Sequence, residues 1–342
     1  MPQCYSNTHL RYLRLAAILC FSAAAVCLAD FSVGLTRAEL YQATVPLADR
    51  SEGAYAAAFE TGLKIVLVRV TGRRTADEDP TFAPLFGSAR RYVQQYRGAA
   101  DHQVWVAFDG PAIERWLTQN GQPLWGHERP STVVWLAVQT GPQAGTIVTA
   151  DSNSDLKAAI DAAAATRGVP LVWPSAADLQ KSHLDYASLS GTAPASLAEI
   201  GHAKGADGVL IGRANNMTAT AGVRWTFFFQ DRSSEFSGAL EGVNRAADTY
   251  GELFAASGSL APVDIEVSGI AELRDYADVQ SYLESLTFIS HVGVQGLSGD
   301  TVRFRLSTRG GSESLQRALA LNGKLQSLPA GDNGIQRFQL RR

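Results

Sequence analysis

Residues 132–138 read Thr-Val-Val-Trp-Leu-Ala-Val, a stretch that has no charged side chain and is dominated by bulky apolar residues. A continuous apolar run of this length is typical of a strand that is buried on both faces, as in a sheet covered by helices on either side. We therefore expect a layered α/β architecture around this strand, and we assign it to the end of an N-terminal α/β domain, residues 30–138.

The rest of that N-terminal domain shows both helical and strand patterns. A capping box formed by Asp49 and Glu52 predicts the start of a helix. Four apolar side chains recur at helical spacing and predict its buried face: Tyr55, Phe59, Leu63 and Val66. Residues 84–95 predict a second helix, and the alternation of apolar residues over 104–108 predicts a strand.

The middle of the chain, residues 139–259, repeats a helix-to-strand order. Two helices, each stopped by a glycine, lead into short apolar strands and predict a second layered α/β domain. Residues 223–229 alternate between apolar and polar side chains, which predicts a half-buried strand in a β-hairpin with residues 234–240. The connection over residues 174–194 is polar and rich in Ser and Ala, so we expect a surface loop there.

The C-terminal residues, 260–342, follow the order β-α-β-β-α-β, which predicts a ferredoxin-like domain. Residues 325–328 and 336–340 flank the dipeptide Asn333-Gly334, a strong hairpin signal. The predicted fold class is thus α/β and α+β, with two layered α/β segments followed by a ferredoxin-like β-α-β-β-α-β domain.

The N-terminus, residues 1–29, has the pattern of a secretory signal peptide. Arg11 and Arg14 precede a charge-free run, LAAILCFSAAAVCLA, at residues 15–29, and Asp30 follows it. The run is shorter than the ~20 residues that a membrane-spanning helix needs. We expect cleavage near Ala29 and a periplasmic or cell-envelope location, the alternative being a retained N-terminal anchor. Cleavage would remove every cysteine, because the three of them are Cys4, Cys20 and Cys27.

Composition and motifs exclude several classes of function. A formal net charge of −3 over 342 residues gives no reason to expect a nucleic-acid partner. The histidines are widely spaced, and the sequence contains neither a phosphate-binding glycine loop nor a nucleophile elbow. We therefore predict no metal, no cofactor and no catalytic residue. One acidic cluster, residues 77–79, could act as the acid and base of a hydrolase, although a solvated charged turn is the simpler interpretation.

Two features are candidate binding sites. Alternation in the C-terminal strands directs four arginines to one sheet face, where they could pair with phosphate or carboxylate groups: Arg303, Arg305, Arg337 and Arg341. The alternative is a solvated sheet face without a partner. The second candidate is Trp125, in the loop PLWGHERP, residues 123–130. A loop tryptophan either packs beneath its loop or contacts a partner.

Several stretches together resemble a known family. They are YAAAFETGLKIVLVRVTG at 55–72, YVQQYRG at 92–98, residues 108–138 with PLWG and RPSTVVWLAV, RGVPLVWP at 167–174 and ADGVLIGR at 206–213. The combination resembles the uncharacterised proteins grouped as domain of unknown function 2066. That resemblance implies a secreted or envelope protein of Gram-negative bacteria, and it carries no activity, substrate or catalytic residue.

The predicted export signal, together with the absence of the catalytic motifs named above, favours a non-catalytic function. We expect an exported envelope protein that acts as a protein-interaction or assembly module, with an envelope protein or an anionic envelope polymer as its partner. The alternative is a periplasmic hydrolase acting on glycan or ester bonds, which would need a deep pocket holding at least two titratable groups with perturbed pKa values.

Overall fold

The computed structural model describes residues 36–142, 144–191, 194–230, 232–321, 324–331 and 334–341. The predicted signal peptide, residues 1–29, lies outside these ranges. Within them, helices and strands alternate along the chain and the strands form three sheets. The mixture of helix and strand that the sequence predicts is therefore present.

The first sheet contains three antiparallel strands. Its elements are α1 (Arg37–Leu40), β1 (Gln42–Pro46), α2 (Glu52–Thr71), α3 (Ala83–Phe86), β2 (Val93–Ala99), β3 (Gln103–Phe108) and α4 (Gly110–Gln119). The strand order is β1-β3-β2, and the helices cover one face of the sheet with an apolar cluster that runs from Leu40 to Leu124.

Helix α2 is the longest helix described, and its predicted buried face is largely confirmed. Phe59, Leu63 and Val66 are buried. The predicted capping box is wrong, because the N-cap is Ser51, whose side-chain oxygen accepts a hydrogen bond from the backbone N–H of Ala54 at 3.1 Å. The helix ends at Gly72, whose φ of 71° places it in the left-handed region that glycine adopts without strain.

The predicted helix at residues 84–95 is replaced by shorter elements. Only α3 is α-helical there, and strand β2 begins at Val93 and pairs antiparallel with β3. The apolar side chains of this segment are too few to bury a three-turn helix, whereas β2 gains backbone hydrogen bonds from its neighbour.

The second sheet has helices on both faces. Its elements are β4 (Thr132–Gln139), β5 (Gly145–Ile147), α5 (Asp155–Arg167), β6 (Leu171–Val172), α6 (Ala176–Lys181), α7 (Tyr186–Gly191), α8 (Pro194–Ala203), β7 (Gly208–Ala214), β8 (Val223–Phe229), β9 (Arg232–Ser237) and α9 (Glu241–Phe254). The order is β5-β4-β7-β8-β9, and β6 also pairs with β4. The predicted hairpin is present as β8 and β9.

Strand β4 is buried on both faces, as the apolar run 132–138 predicts. Val134 and Leu136 belong to the cluster under α5 and α9, whereas Val133 and Trp135 belong to the cluster under α7 and α8. The strand does not belong to the N-terminal domain predicted over residues 30–138, because it pairs in parallel with β7 and lies within the second sheet.

The connection at residues 174–194 is more ordered than the predicted surface loop. It contains α6 and α7, and a capping box between Ser175 and Asp178 opens α6. Leu189 of α7 is fully buried in the cluster on that face of the second sheet. This apolar anchor explains why a polar segment folds against the sheet.

The third sheet has five strands, with helices on one face. Its elements are β10 (Leu260–Ser268), α10 (Leu273–Ser285), β11 (Ile289–Ser298), β12 (Thr301–Arg309), α11 (Gly311–Leu321), β13 (Leu325–Leu328) and β14 (Gln336–Leu340). The order is β11-β12-β10-β14-β13. The predicted hairpin is present as β13 and β14, but β14 is inserted beside β10 and runs parallel to it. A ferredoxin-like sheet would instead place an antiparallel strand at that position.

Backbone and side-chain hydrogen bonds join the three sheets into one structure. We call each sheet together with its helices a layer. Leu124 and Ala256 exchange backbone hydrogen bonds between the first and third layers. Arg317 of α11 donates from Nε to the carbonyl of Leu253 in α9, at 2.8 Å. Among the helices described, none combines the length and the apolar character that crossing a bilayer requires.

Candidate functional site

The predicted arginine face exists on the third sheet, but its charges are paired. The register of β10 and β12 sets Asp264 opposite Arg305 and Glu266 opposite Arg303. Arg305 donates from Nε and Nη2 to the two carboxylate oxygens of Asp264, both at 2.8 Å. Arg303 donates from Nε and Nη2 to Glu266. These side chains therefore present alternating charges rather than an unbalanced cationic patch.

The other two predicted arginines lie on β14 and just beyond it. Nε of Arg337 is 3.7 Å from the carboxylate of Glu266, and Arg341 donates from Nε to the side-chain oxygen of Gln326 at 3.2 Å. Arg303, Arg305 and Arg337 thus converge around the acids of β10, whereas Arg341 lies toward the β13 edge. The hydrogen bond from Arg305 lowers the pKa of Asp264, so this carboxylate stays ionised at neutral pH.

Trp125 is a buried residue and not a surface contact. Its side chain is 1% exposed, and its ring packs 6.2 Å from that of Tyr250 between ring centroids. The guanidinium carbon of Arg129 lies 3.5 Å from the centre of the indole ring. Of the two alternatives for a loop tryptophan, the structure selects packing beneath the loop, so Trp125 is corrected from a binding residue to a core residue.

A set of buried arginines, which the sequence patterns did not predict, connects the first and second layers. Arg69, Arg129 and Arg167 are 7%, 8% and 3% exposed. Arg129 donates hydrogen bonds to four carbonyl oxygens, those of Gly126, Gly168, Arg69 and Trp125. Burial lowers the pKa of Arg129 well below its ordinary value. One signal was present in the sequence: Arg69 interrupts the apolar run IVLVRV at residues 65–70.

Arg167 at the end of α5 completes these contacts. Its Nη2 donates to the carbonyl of Gly72 at 3.1 Å and to the carboxylate of Asp248 at 2.6 Å. Its Nη1 donates to the side-chain oxygen of Asn244 at 3.3 Å. Because the first-layer helix α2 ends at Gly72, the guanidinium supplies a partner for a carbonyl that the helix itself leaves open.

A cleft of about 340 Å³ lies where α4 of the first layer meets the third sheet. Arg309 lines it and stands on the same face of β12 as Arg303 and Arg305, but its register partner is Leu260 rather than an acid. Its Nε is buried and has no hydrogen-bond acceptor among the described residues. Burial lowers the pKa of Arg309, and Glu114 partly opposes that effect.

Glu114 forms the opposite wall of this cleft and is held by two donors. Its carboxylate accepts a hydrogen bond from the Tyr41 hydroxyl at 2.7 Å and pairs with Arg37 at 2.6 Å. Burial and the neighbouring carboxylate raise the pKa of Tyr41, so its hydroxyl remains a donor. The charge of Glu114 is therefore directed toward Arg37 and Tyr41.

A second cleft, of about 230 Å³, lies between the uncovered face of the first sheet and α5. Arg69, Trp105 and Glu39 are among the residues that line it. Trp105 is half-buried, and the guanidinium of Arg97 stacks on its ring at 4.4 Å.

The acidic cluster at residues 77–79 has the geometry of a charged turn. Asp79 accepts a hydrogen bond from the backbone N–H of Thr81 at 2.9 Å and also pairs with Arg73. These hydrogen bonds lower the pKa of Asp79, whereas a general acid needs a raised pKa. Across the described ranges, no three His, Cys, Asp or Glu side chains come close enough together to hold a metal ion.

Comparison with known proteins gives one match. Residues 35–126 match the model of a family described as Domain of unknown function (DUF8605). The matched range covers the first sheet and its helices, and it ends one residue after Trp125. No curated protein and no solved structure matches the chain.

The match corrects the resemblance to domain of unknown function 2066, because the family whose model fits is a different one. The implied origin in Gram-negative bacteria loses its support with it. The stretches that carried the resemblance are mainly apolar core elements, among them α2, β4 and β7. Burial alone dictates such composition, so these stretches do not discriminate between families that share an α/β core.

Proposed function

We propose that this chain is an exported, non-catalytic protein of the cell envelope that acts as an interaction or assembly module. The observation that carries the proposal is the uncovered face of the third sheet. Helices cover the other face of this sheet, whereas this face carries ion pairs between β10 and β12 and leads toward the cleft at Arg309.

The charge pattern of this face favours a protein partner. Arg303 and Arg305 are already paired with acids, so a uniformly anionic polymer would meet carboxylates as well as guanidinium groups. A protein surface that offers both signs of charge can match the alternation. Arg309, which lines the adjoining cleft, adds a further positive charge beside this face.

Photo-crosslinking tests this surface directly. We would place a benzoylphenylalanine at Gln339, which is exposed on this face, and as a control at Glu284, which is exposed on α10 on the other side of the sheet. In envelope fractions we expect a protein crosslinked from Gln339 but not from Glu284. Equal crosslinking from both positions, or crosslinking to polysaccharide alone, would contradict the proposal.

A charge-exchange variant serves as the matched control for folding. The double substitution Asp264→Arg with Arg305→Asp keeps an ion pair but reverses its direction across the two strands. We expect an unchanged unfolding midpoint together with loss of the Gln339 crosslink. Retention of the crosslink would show that this ion pair is not part of the recognition surface.

The proposed export rests on the charge-free run at residues 15–29, which follows two arginines. Fusing residues 1–35 to alkaline phosphatase, an enzyme that becomes active only after export, tests it. We expect activity outside the cytoplasm, and substitution of Leu15 and Leu19 by Arg should abolish it.

We also propose that the C-terminal layer is a ferredoxin-like domain extended by one strand. The neighbours β11-β12-β10 and the two helices on one face follow the ferredoxin-like order. The hairpin of β13 and β14 then replaces the single final strand. Hydrogen exchange tests this arrangement, because an added hairpin should open at lower free energy than β10 and β12.

A further inference from the structure

The cleft between the first sheet and α5 has a charged floor. Arg69 projects from α2 and is 7% exposed, and its Nη1 donates to the carbonyls of Glu39, Leu40 and Gln42 at 2.8, 3.2 and 2.9 Å. Its Nε is buried and has no acceptor in the described part of the chain. That Nε is too enclosed to reach a ligand, whereas Nη2 makes no hydrogen bond within the described ranges and is the donor left for one.

The charge of Arg69 is also uncompensated within the cleft. Glu39 is the acid that lines it, but its Oε2 accepts hydrogen bonds from the backbone N–H and the hydroxyl of Thr36 at 2.7 and 2.8 Å. These bonds form a capping box at the start of α1 and turn the carboxylate toward Thr36. A buried cation without an ionic partner is costly, and a bound anion would relieve that cost.

The walls of the cleft add shape and polarity. Trp105 contributes an indole ring, on one face of which the Arg97 guanidinium stacks, and Thr44, its register partner on β1, is exposed beside it. Gln42 contributes an amide, and Ala165 of α5 closes the opposite side. A volume of about 230 Å³ lies below the ~300 Å³ at which pockets for drug-sized ligands begin, so the ligand must be small.

We propose that this cleft binds a small sugar acid, with its carboxylate on Arg69 and its ring against Trp105. The guanidinium supplies charge-assisted hydrogen bonds to the carboxylate. The indole face opposite Arg97 covers the apolar C–H face of the sugar, and Thr44 and Gln42 line the cleft where its hydroxyl groups would lie. This site lies between the first sheet and α5 and does not depend on the proposed interaction face of the third sheet.

Calorimetric titration of the full chain with glucuronate, glucose and inorganic phosphate tests the proposal. We expect glucuronate to bind about tenfold or more tightly than glucose, because glucose lacks the carboxylate. The indole N–H signal of Trp105, identified by its loss in Trp105→Phe, should shift on addition of glucuronate. If phosphate binds as tightly as glucuronate, the cleft is a general anion site and the proposal is wrong.

Two substitutions at exposed positions of α5 separate an effect on binding from an effect on folding. Ala165→Leu adds bulk to the cleft from α5 and leaves residue 69 unchanged, and Ala162→Leu is its exposed control on the same helix. We expect the first to abolish glucuronate binding and the second to leave it unchanged. Arg69→Lys keeps the charge but loses the guanidinium fork, so binding should weaken about tenfold. Unchanged binding in Ala165→Leu, or no binding of any probe, would overturn the proposal.

Discussion

Gly72 and Gly251 touch through their backbones where the first layer meets α9. A Cβ atom added at Gly72 would lie 2.7 Å from the Cα of Gly251, and one added at Gly251 would lie 2.9 Å from the carbonyl oxygen of Gly72. Both distances are shorter than van der Waals contact allows. The same carbonyl of Gly72 accepts the hydrogen bond from Arg167, so the close approach and the buried arginine occur at one point.

We expect Gly251→Ala to destabilise the protein although it lies within a helix. Alanine would gain about 1 kcal/mol of helix propensity, but the clash with backbone atoms should cost more, in the range of about 1–3 kcal/mol for overpacking. Gly53→Ala on α2 is the matched control, because a Cβ there meets nothing within 4 Å. Urea denaturation should show a lower midpoint for Gly251→Ala and an equal or higher one for Gly53→Ala. A stabilised Gly251→Ala would contradict the close approach.

We expect Arg129→Lys to cost at least about 3 kcal/mol in the free energy of unfolding. Lysine keeps the charge but cannot donate hydrogen bonds to all four carbonyl oxygens, so several buried acceptors lose their donor. Arg91→Lys, at an exposed position, should change stability by less than about 0.5 kcal/mol. Chemical denaturation monitored by circular dichroism compares the two, and equal stabilities would show that the buried hydrogen bonds contribute nothing.

We expect Trp125→Ala to reduce stability by about 3–5 kcal/mol, as removal of a large buried aromatic side chain does. The substitution removes the contact with Tyr250 and the stacking of Arg129 on the indole ring. Trp125→Phe should lose less, because a ring remains in place although the hydrogen bond from the indole N–H to the carbonyl of Glu128 is gone. Thermal unfolding should rank the wild type first and Trp125→Ala last, and any other order would count against a core role.

We expect Asp178 to stabilise the protein at neutral pH and to lose that effect in acid. Burial acts to raise the pKa of Asp178, but hydrogen bonds from Ser175 and Lys204 outweigh it and lower the pKa to about 2. A carboxyl whose pKa is lower in the folded state than its unfolded value of about 3.9 contributes stability above that value. The contribution, on the order of 2 kcal/mol, disappears as the pH falls from about 4 to about 2.

The variant Asp178→Asn isolates this effect. The difference in unfolding free energy between the wild type and the variant should be largest above pH 4 and should shrink toward zero near pH 2. Because other carboxyl groups titrate in both proteins, the subtraction removes their contribution. A difference that stays constant across this range would show that Asp178 acts through shape and not through charge.

Local pattern predicted several elements of this fold correctly. The apolar run 132–138 predicts burial on both faces, because only a strand covered on two sides can hide every side chain. The alternation over residues 302–306 predicts that Arg303 and Arg305 point away from the core, and both are exposed. The predicted helix at residues 84–95 is wrong, because the secondary structure of a short amphipathic segment depends on its neighbours more than on its own periodicity.

The candidate sites depended on contacts between distant residues. Whether Arg303 and Arg305 are free or paired is decided by the register that sets Glu266 and Asp264 across from them. The position of Trp125 in a loop leaves open whether it contacts a partner or packs beneath the loop, and the packing of Arg129 and Tyr250 against its ring decides for the second. Clefts formed between layers leave no mark in the sequence, because their walls come from segments that meet only after folding.

The sequence by itself determined the buried face of α2, the two-sided burial of β4 and the two β-hairpins, because side-chain periodicity and turn residues are local properties. Only the tertiary structure decided that Arg69, Arg129 and Arg167 are buried. Arginine is ordinarily exposed, and it becomes stable inside a protein where helix ends and loops converge to offer carbonyl oxygens to its guanidinium. That convergence exists only when α2, α5 and the loop of Trp125 pack together.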